Sequence, residues 1–366
     1  MTAGAFTYQA LPMRVVFGPG RLADLHAEVS ELGLHRLLVL ATPNQRTLAD
    51  RVAGLLGDRA AGVFAGARMH VPAEVAAAGR NQAREVDADG CVAIGGGSTI
   101  GLGKAIALET GLPVVAVPTT YSGSEMTPIW GITDARRKRT GRDPAVLPRS
   151  VLYDPDLTTD LPAALSGTSG INAIAHAVES LYAPDTSPVI ELFAEEGIRC
   201  LAAALPAIAA DPSDRDARSE ALRGAWLCGA CLGATTMSLH HKLCHVLGGT
   251  FDLPHAPTHA VVLPHVAAFN LPAAPAAHAA LCRALRTDHP ARALADLATA
   301  VGAPRSLAEL GLREADLPEV IEQVLAQPYA NPRTPTHGDL DALLTAAHSG
   351  SRSRLAGLHA PDAKGS

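Results

Sequence analysis

The segment GCVAIGGGSTIG, residues 90–101, decides the fold of the first part of the chain. It joins an apolar run ending at Ile94 to three consecutive glycines, Gly95, Gly96 and Gly97, and then to the start of a predicted helix. Such glycines let the backbone approach a phosphate, and the helix N-terminus offers unpaired N–H groups and a favourable dipole. Any strand-to-helix corner can use glycine as a plain turn, but the Ser98-Thr99 that follows favours phosphate binding.

Similar apolar runs surround this segment. Residues 37–40 and 114–117 are wholly apolar, as strands covered on both faces are, and a helical stretch over 74–85 lies between them. This alternation predicts an α/β nucleotide-binding domain with a parallel sheet over residues 1–157. Strand signals then stop, which predicts an all-helical domain over 158–347. A polar tail, 348–366, is predicted to be disordered.

Hydroxyl groups follow the strand that ends at Val117. Thr119, Thr120, Tyr121 and Ser122 lie where the carboxyl edge of an open α/β sheet binds ligands, and hydroxyls there can bond phosphate oxygens or a carboxamide. Tyr121 could equally be a packing residue. We therefore expect the threonines to be the main contacts.

The second half of the chain carries a histidine pattern. Asn172 and His176 are four residues apart on a helix predicted to open near Ser169, and His241 and His245 repeat that spacing. His255 is predicted to lie in a loop beyond a helix end at 248–249. Any one of these could be an ordinary core or surface histidine. Six of the 15 histidines fall between 240 and 265, which favours a site.

The composition excludes several classes of function. A chain of 366 residues suggests two domains, and no apolar run reaches the roughly 18 residues of a membrane span. A net charge of −6 argues against a nucleic-acid partner, and the basic run 136–139 is interpreted as a solvated loop.

The first nine residues lack the pattern of a secretory signal, so we expect a cytoplasmic protein. The six cysteines do not form a disulfide framework; Cys228 and Cys231 are predicted to be small buried helix residues.

Together the motifs resemble the iron-containing (group III) alcohol dehydrogenase superfamily. The similar stretches are Asn172-x-x-x-His176, His241-x-x-x-His245, Pro254-His255, 118–127, 129–133, 140–143, 69–72 and 225–229. The resemblance implies a metal bound by an Asp and three His, at positions 172, 176, 241 and 255, with His245 as a further active-site histidine. Asn172 replaces the expected carboxylate and brings no charge to offset the desolvation of a dication. The departure points to the maleylacetate reductase branch, which the resemblance implies works without metal.

The resemblance also implies an activity. It is the NADH- or NADPH-dependent reduction of the conjugated double bond of maleylacetate, a small dicarboxylate, to 3-oxoadipate in bacterial aromatic degradation, by a homodimer. The strand end at Thr42-Pro43-Asn44, where Asn44 is a candidate cofactor contact, lacks the acidic residue that repels a 2′-phosphate, so both cofactors should be accepted.

Catalytic and substrate-binding roles follow from this activity. His245, with His241 and His176 as alternates and His255 beside them, is the candidate to stabilise the enolate or deliver its proton. Lys242 and Arg333 are candidates for the substrate carboxylates, although either could be a surface charge. The alternatives are a metal-dependent alcohol dehydrogenase and a metal- and NAD-using sugar-phosphate cyclase resembling dehydroquinate synthase.

Overall fold

The computed structural model describes residues 5–134, 137–353 and 355. Most of the predicted tail, residues 354 and 356–366, and Arg136 of the basic run lie outside the described residues. The last described helix extends through residue 349, two residues into the predicted tail.

Six parallel strands form one sheet in the order β1-β8-β5-β4-β2-β3. The strands are β1 (Arg14–Phe17), β2 (Leu37–Leu40), β3 (Ala60–Phe64), β4 (Gly90–Gly95), β5 (Val114–Pro118) and β8 (Ser150–Tyr153). Strands β2, β4, β5 and β8 are buried throughout, because helices cover both faces of the sheet. The parallel α/β fold predicted from the apolar runs is confirmed.

Helices alternate with these strands, and an antiparallel hairpin interrupts the order after β5. The elements are α1 (Leu25–Glu31), α2 (Arg46–Leu56), α3 (Ala73–Glu85), α4 (Gly97–Thr110), and the hairpin strands β6 (Ile129–Asp134) and β7 (Arg137–Arg142). The helix predicted over 74–85 is α3.

After Tyr153 the described chain contains helices and no further strand. They are α5 (Ala163–Ser180), α6 (Pro188–Ala210), α7 (Arg215–Ala234), α8 (Leu239–Phe251), α9 (His255–Asn270), α10 (Pro275–Leu285), α11 (Pro290–Ala300), α12 (Leu317–Leu325) and α13 (His337–Ser349). Within the part of the chain that the structure describes, none of them is both long and apolar enough to span a bilayer.

Two helix boundaries differ from the prediction. Ser169 is not a cap but lies inside α5, which begins after Pro162; its hydroxyl instead accepts the backbone N–H of Tyr121 at 3.1 Å. His255 is not in a loop: α8 continues through both glycines to Phe251, and His255 is the first residue of α9. Asp252 makes this tight connection possible by adopting a left-handed conformation, with φ of +56°.

The loop after β5 packs on α7 through glycines. A Cβ placed on Gly229 would lie 3.0 Å from the Cα of Gly123, and one on Gly233 would lie 2.4 Å from the carbonyl oxygen of Met126. Neither site has room for a side chain. This backbone contact fixes the loop after β5 against α7.

Candidate active site

A cleft of about 420 Å³ separates the carboxyl edge of the sheet from helices α5, α8 and α9. The predicted residues that line it are Gly97, Ser98, Ser122, Asn172, His176, His241, His245 and His255. Its volume falls in the range of small-ligand sites. The structure thus places the glycine-rich segment and the histidine pattern, which are separate in sequence, in one cavity.

The glycine-rich segment has the predicted strand-loop-helix form. Gly95 ends β4 with φ of +148°, and a Cβ there would lie 2.5 Å from the Thr99 hydroxyl oxygen. A Cβ on Gly96 would lie 2.9 Å from the methyl carbon of Thr120. Gly95 and Gly96 therefore have no room for a side chain, and the N-terminus of α4 opens toward the cleft at Gly97.

Side chains that the sequence analysis missed hold the neighbouring loops in place. Gln45 donates to the hydroxyl of Thr119 at 2.9 Å and so ties the end of β2 to the end of β5. Lys104 is fully buried and donates to the carbonyl oxygens of Ser124 and Ile129, at 2.5 and 2.9 Å, and to the Thr127 hydroxyl at 2.9 Å. Burial lowers the pKa of Lys104 to about 7. The signal in the sequence for this role was a lysine within the apolar part of helix α4, where a buried charge requires hydrogen-bond partners.

Imidazole rings crowd the other side of the cleft. The rings of His176 and His241 stack with centroids 5.0 Å apart, and the rings of His241 and His245 meet edge to face at 6.1 Å. Burial, and secondarily the neighbouring imidazoles, hold the pKa of His176 well below its ordinary value of 6.5. His176 is therefore neutral at pH 7.

Glu179 organises this cluster, and the sequence analysis missed it. Its fully buried carboxylate accepts a hydrogen bond from His241 Nδ1 at 2.7 Å and from the backbone N–H groups of Ser238 and His240 at 2.9 and 2.8 Å. Burial alone would raise its pKa, but the hydrogen bond and charge of His241 outweigh burial and lower it. An ionised carboxylate thus orients His241 so that its Nε2 atom is left for the cleft.

His259 and His240 are further members of the cluster that the sequence analysis did not single out. Their rings share a hydrogen bond of 2.8 Å between Nε2 of His240 and Nδ1 of His259, and Cys244 Sγ lies 3.7 Å from that Nε2 atom. Among the described residues, these three form a group of donors close enough for a metal ion. However, the two nitrogens already bond each other, and burial raises the pKa of Cys244 well above its ordinary value, which keeps the thiol protonated.

The family-type metal position fits a divalent ion only in part. Asn172 Oδ1, His176 Nδ1 and His241 Nε2 are buried and, in the described structure, have no hydrogen-bond partner, so they await a ligand. The imidazoles suit Fe²⁺ or Zn²⁺, but the amide contributes a neutral oxygen in place of an anion. The described residues that line the cleft include no Asp or Glu. We therefore derive no chemical step through a metal.

Several predicted site residues lie elsewhere. Thr99 and Tyr121 are fully buried, so Tyr121 packs in the core, as its alternative interpretation had it. Asn44 is exposed on the turn after β2. Lys242 does not line the cleft, and Arg333 is held by Asp339 at 2.5 Å and by the ring of Phe269.

Cys228 and Cys231 are buried in α7, and burial raises the pKa of both thiols, as expected for packing residues.

Comparison with known proteins identifies this architecture. Residues 12–155 match the model of the iron-containing alcohol dehydrogenases, and residues 166–348 match that of the C-terminal part of the Fe-containing alcohol dehydrogenase family. The chain belongs to the iron-containing alcohol dehydrogenase family. A maleylacetate reductase of Burkholderia cepacia is 54% identical over 348 residues, which are 95% of this chain and 99% of that protein.

Two solved structures are also similar to this chain. A maleylacetate reductase from Agrobacterium tumefaciens is 49% identical, with a TM-score of 0.93 over 95% of this chain and 99% of that one. A maleylacetate reductase from Rhizobium sp. strain MTP-10005 is 48% identical, with a TM-score of 0.92 and the same coverage. The predicted family resemblance is confirmed. The family match gives no support, however, to the expectation that the protein lacks a metal.

Proposed function

We propose that this chain is an NAD(P)H-dependent maleylacetate reductase. The observation that carries the proposal is the near-full-length similarity to maleylacetate reductases, at 54% identity to the Burkholderia cepacia protein. The cleft supports it, because a helix N-terminus at Gly97 suited to phosphate faces buried imidazoles across a small cavity.

The reaction begins with hydride transfer. A dihydronicotinamide cofactor held at Gly97 and Ser98 would supply hydride from its C4 to the alkene carbon β to the ketone; the C=C π bond would break and its electron pair would move onto the ketone oxygen as an enolate. A charge delocalised in this way can be stabilised by hydrogen-bond donors. A simple alkoxide from an isolated carbonyl would need a stronger electrophile.

The enolate then takes a proton on the carbon next to the ketone. We propose His241 for this step, with His245 on the next turn as the alternative, because Glu179 holds Nδ1 of His241 and leaves its Nε2 atom for the cleft. His176 is neutral and offers its ring for hydrogen bonding instead. His241 thus replaces His245, the first candidate from the sequence, as the proposed proton donor. The reason is its carboxylate partner Glu179, which the sequence analysis did not identify.

The cofactor and the assembly stay predictions. The turn after β2 contains no acidic residue between Thr42 and Gln45, which favours acceptance of both NADH and NADPH. A homodimer that acts on a small dicarboxylate, without nucleic acid or membrane, is the proposed assembly.

Reduction of maleylacetate with C4-deuterated NADH tests the function. We expect equimolar NADH consumption, with the label on a former alkene carbon of 3-oxoadipate and the ketone intact. Label on a carbinol carbon would restore the alcohol dehydrogenase alternative, and NADH that is not consumed overall would restore the cyclase.

A further inference from the structure

A strained turn places His70 in the cleft. His70 and the next residue, Val71, both have positive φ angles, +63° and +47°, in a turn closed by the bond from Val71 N–H to the Arg68 carbonyl. Positive φ is costly for any residue with a Cβ and most of all for a β-branched one. Such strain persists where the surrounding structure enforces it, and it clusters at functional sites.

The surrounding structure does enforce this turn. Thr133 of β6 donates its hydroxyl to the His70 carbonyl at 2.9 Å and its N–H to the Val71 carbonyl at 3.0 Å. Val71 also packs so closely on α4 that a Cβ on Gly101 would lie 2.8 Å from its side chain. The backbone is therefore held from two sides, which fixes His70 at the wall of the cleft formed by the sheet domain.

The proposed substrate gives this position a purpose. Maleylacetate carries two carboxylates, yet none of the described residues that line the cleft is Lys or Arg. Arg333 is paired with Asp339, and Lys242 lies outside the cleft. On the helical side, His241 is bound to Glu179. His70 presents an imidazole, which can donate a hydrogen bond to a carboxylate, from the opposite wall.

We infer that His70 is a substrate-binding residue that donates a hydrogen bond to one of the two carboxylates and so selects dicarboxylates. The inference rests on the proposed function. It accounts for the maintained strain, because a turn with relaxed φ angles would direct the side chain elsewhere.

The test replaces His70 by Asn, which tolerates positive φ and so keeps the turn. We expect H70N to raise KM for maleylacetate about tenfold or more, the effect of losing a charge-assisted hydrogen bond, while KM for NADH changes less than about twofold. R68A is the matched control: it removes a full positive charge from the same turn but from an exposed side chain outside the cleft. It should leave both constants within about twofold.

Inhibition by adipate and by hexanoate separates recognition from structure. These two compounds have the same chain length and differ by one carboxylate, so the wild type should bind adipate more tightly and H70N should lose most of that preference. An unchanged adipate preference in folded H70N would overturn the inference, as would an equal effect of R68A. Failure of the wild type to reduce maleylacetate would instead overturn the proposed function. The role of His70 would still be tested by measuring the binding of adipate and hexanoate to the wild type and H70N through their thermal shifts.

Discussion

Replacement of Glu179 by Gln is the sharpest test of how the histidine cluster works. The carboxylate is fully buried and accepts bonds from His241 Nδ1 and from two backbone N–H groups, those of Ser238 and His240. Gln keeps the shape of the Glu179 side chain but removes its negative charge. The NH₂ group of Gln is itself a donor, so it cannot accept a hydrogen bond from the groups that Glu179 binds. His241 therefore loses the anionic acceptor that orients its ring.

The size of the effect follows from these bonds. A hydrogen bond to a charged group contributes about 1.5–3 kcal/mol, so loss of the His241 bond should lower kcat about 10- to 100-fold. Because the proposed NADH site is at the other wall of the cleft, KM for NADH should stay within about twofold. One backbone N–H left without an acceptor should also cost about 1–3 kcal/mol of the free energy of unfolding.

The pH dependence gives an independent readout. Folding lowers the pKa of Glu179 below its ordinary value of 4.5, so the ionised carboxylate stabilises the folded state above about pH 4.5. That contribution is lost as the pH falls through the folded-state pKa. E179Q should therefore show a smaller loss of stability between neutral and acidic pH than the wild type.

Steady-state kinetics and thermal unfolding across pH decide the question, with E322Q as the control. Glu322 also faces a histidine, His337, at 4.0 Å, but both side chains are exposed, so its replacement should change neither kcat nor stability measurably. If E179Q keeps the wild-type kcat, Glu179 has no role in proton delivery and the proposed mechanism is wrong.

Three further changes test other parts of the structure. N172D restores an anionic ligand and should retain Fe²⁺ or Zn²⁺ at least about tenfold more tightly than the wild type. Elemental analysis after dialysis measures this, and stoichiometric metal in the wild type with activity lost to EDTA would contradict the metal-free expectation. K104M removes three hydrogen bonds to the loop beside the glycine-rich segment and should raise KM for NADH about tenfold. An unchanged KM would show that the loop keeps its conformation without these bonds. G233A should lower Tm, because its Cβ would meet the Met126 carbonyl at 2.4 Å, whereas G249A, with nothing within 4 Å, should gain up to about 1 kcal/mol of helix propensity.

The features that the sequence predicted well are local ones. The apolar runs 37–40 and 114–117 specify buried strands because every side chain in them must be covered, and the three glycines after Ile94 specify a close backbone approach. The pairs Asn172/His176 and His241/His245 share helix faces because their spacing equals one helical turn. Each of these predictions needs only a few consecutive residues.

The features that the sequence did not predict depend on residues far apart in the chain. Glu179 meets His241 across 62 positions, and Gln45 meets Thr119 across 74. The helix boundary at Ser169 was wrong for a related reason, since that hydroxyl bonds Tyr121 of the sheet domain and does not cap its own helix. The one local signal for Glu179 was its position directly after the largely apolar stretch 171–178 of the same helix. A carboxylate on a buried helix requires partners.

The position of the negative charge explains how this site can differ from a metal centre on the same scaffold. A carboxylate at position 172 would place the charge at the cavity, where it would neutralise a dication. Here position 172 is an uncharged amide, and the charge lies behind the cluster on Glu179, where it acts through the His241 ring. A carboxylate that accepts the Nδ1 proton of an imidazole fixes the tautomer and directs Nε2 toward the cavity, and it does so for metal ligands as well. The uncharged residue at position 172, and not Glu179, therefore distinguishes this site from a metal centre, while Glu179 orients the ring that we propose for the enolate.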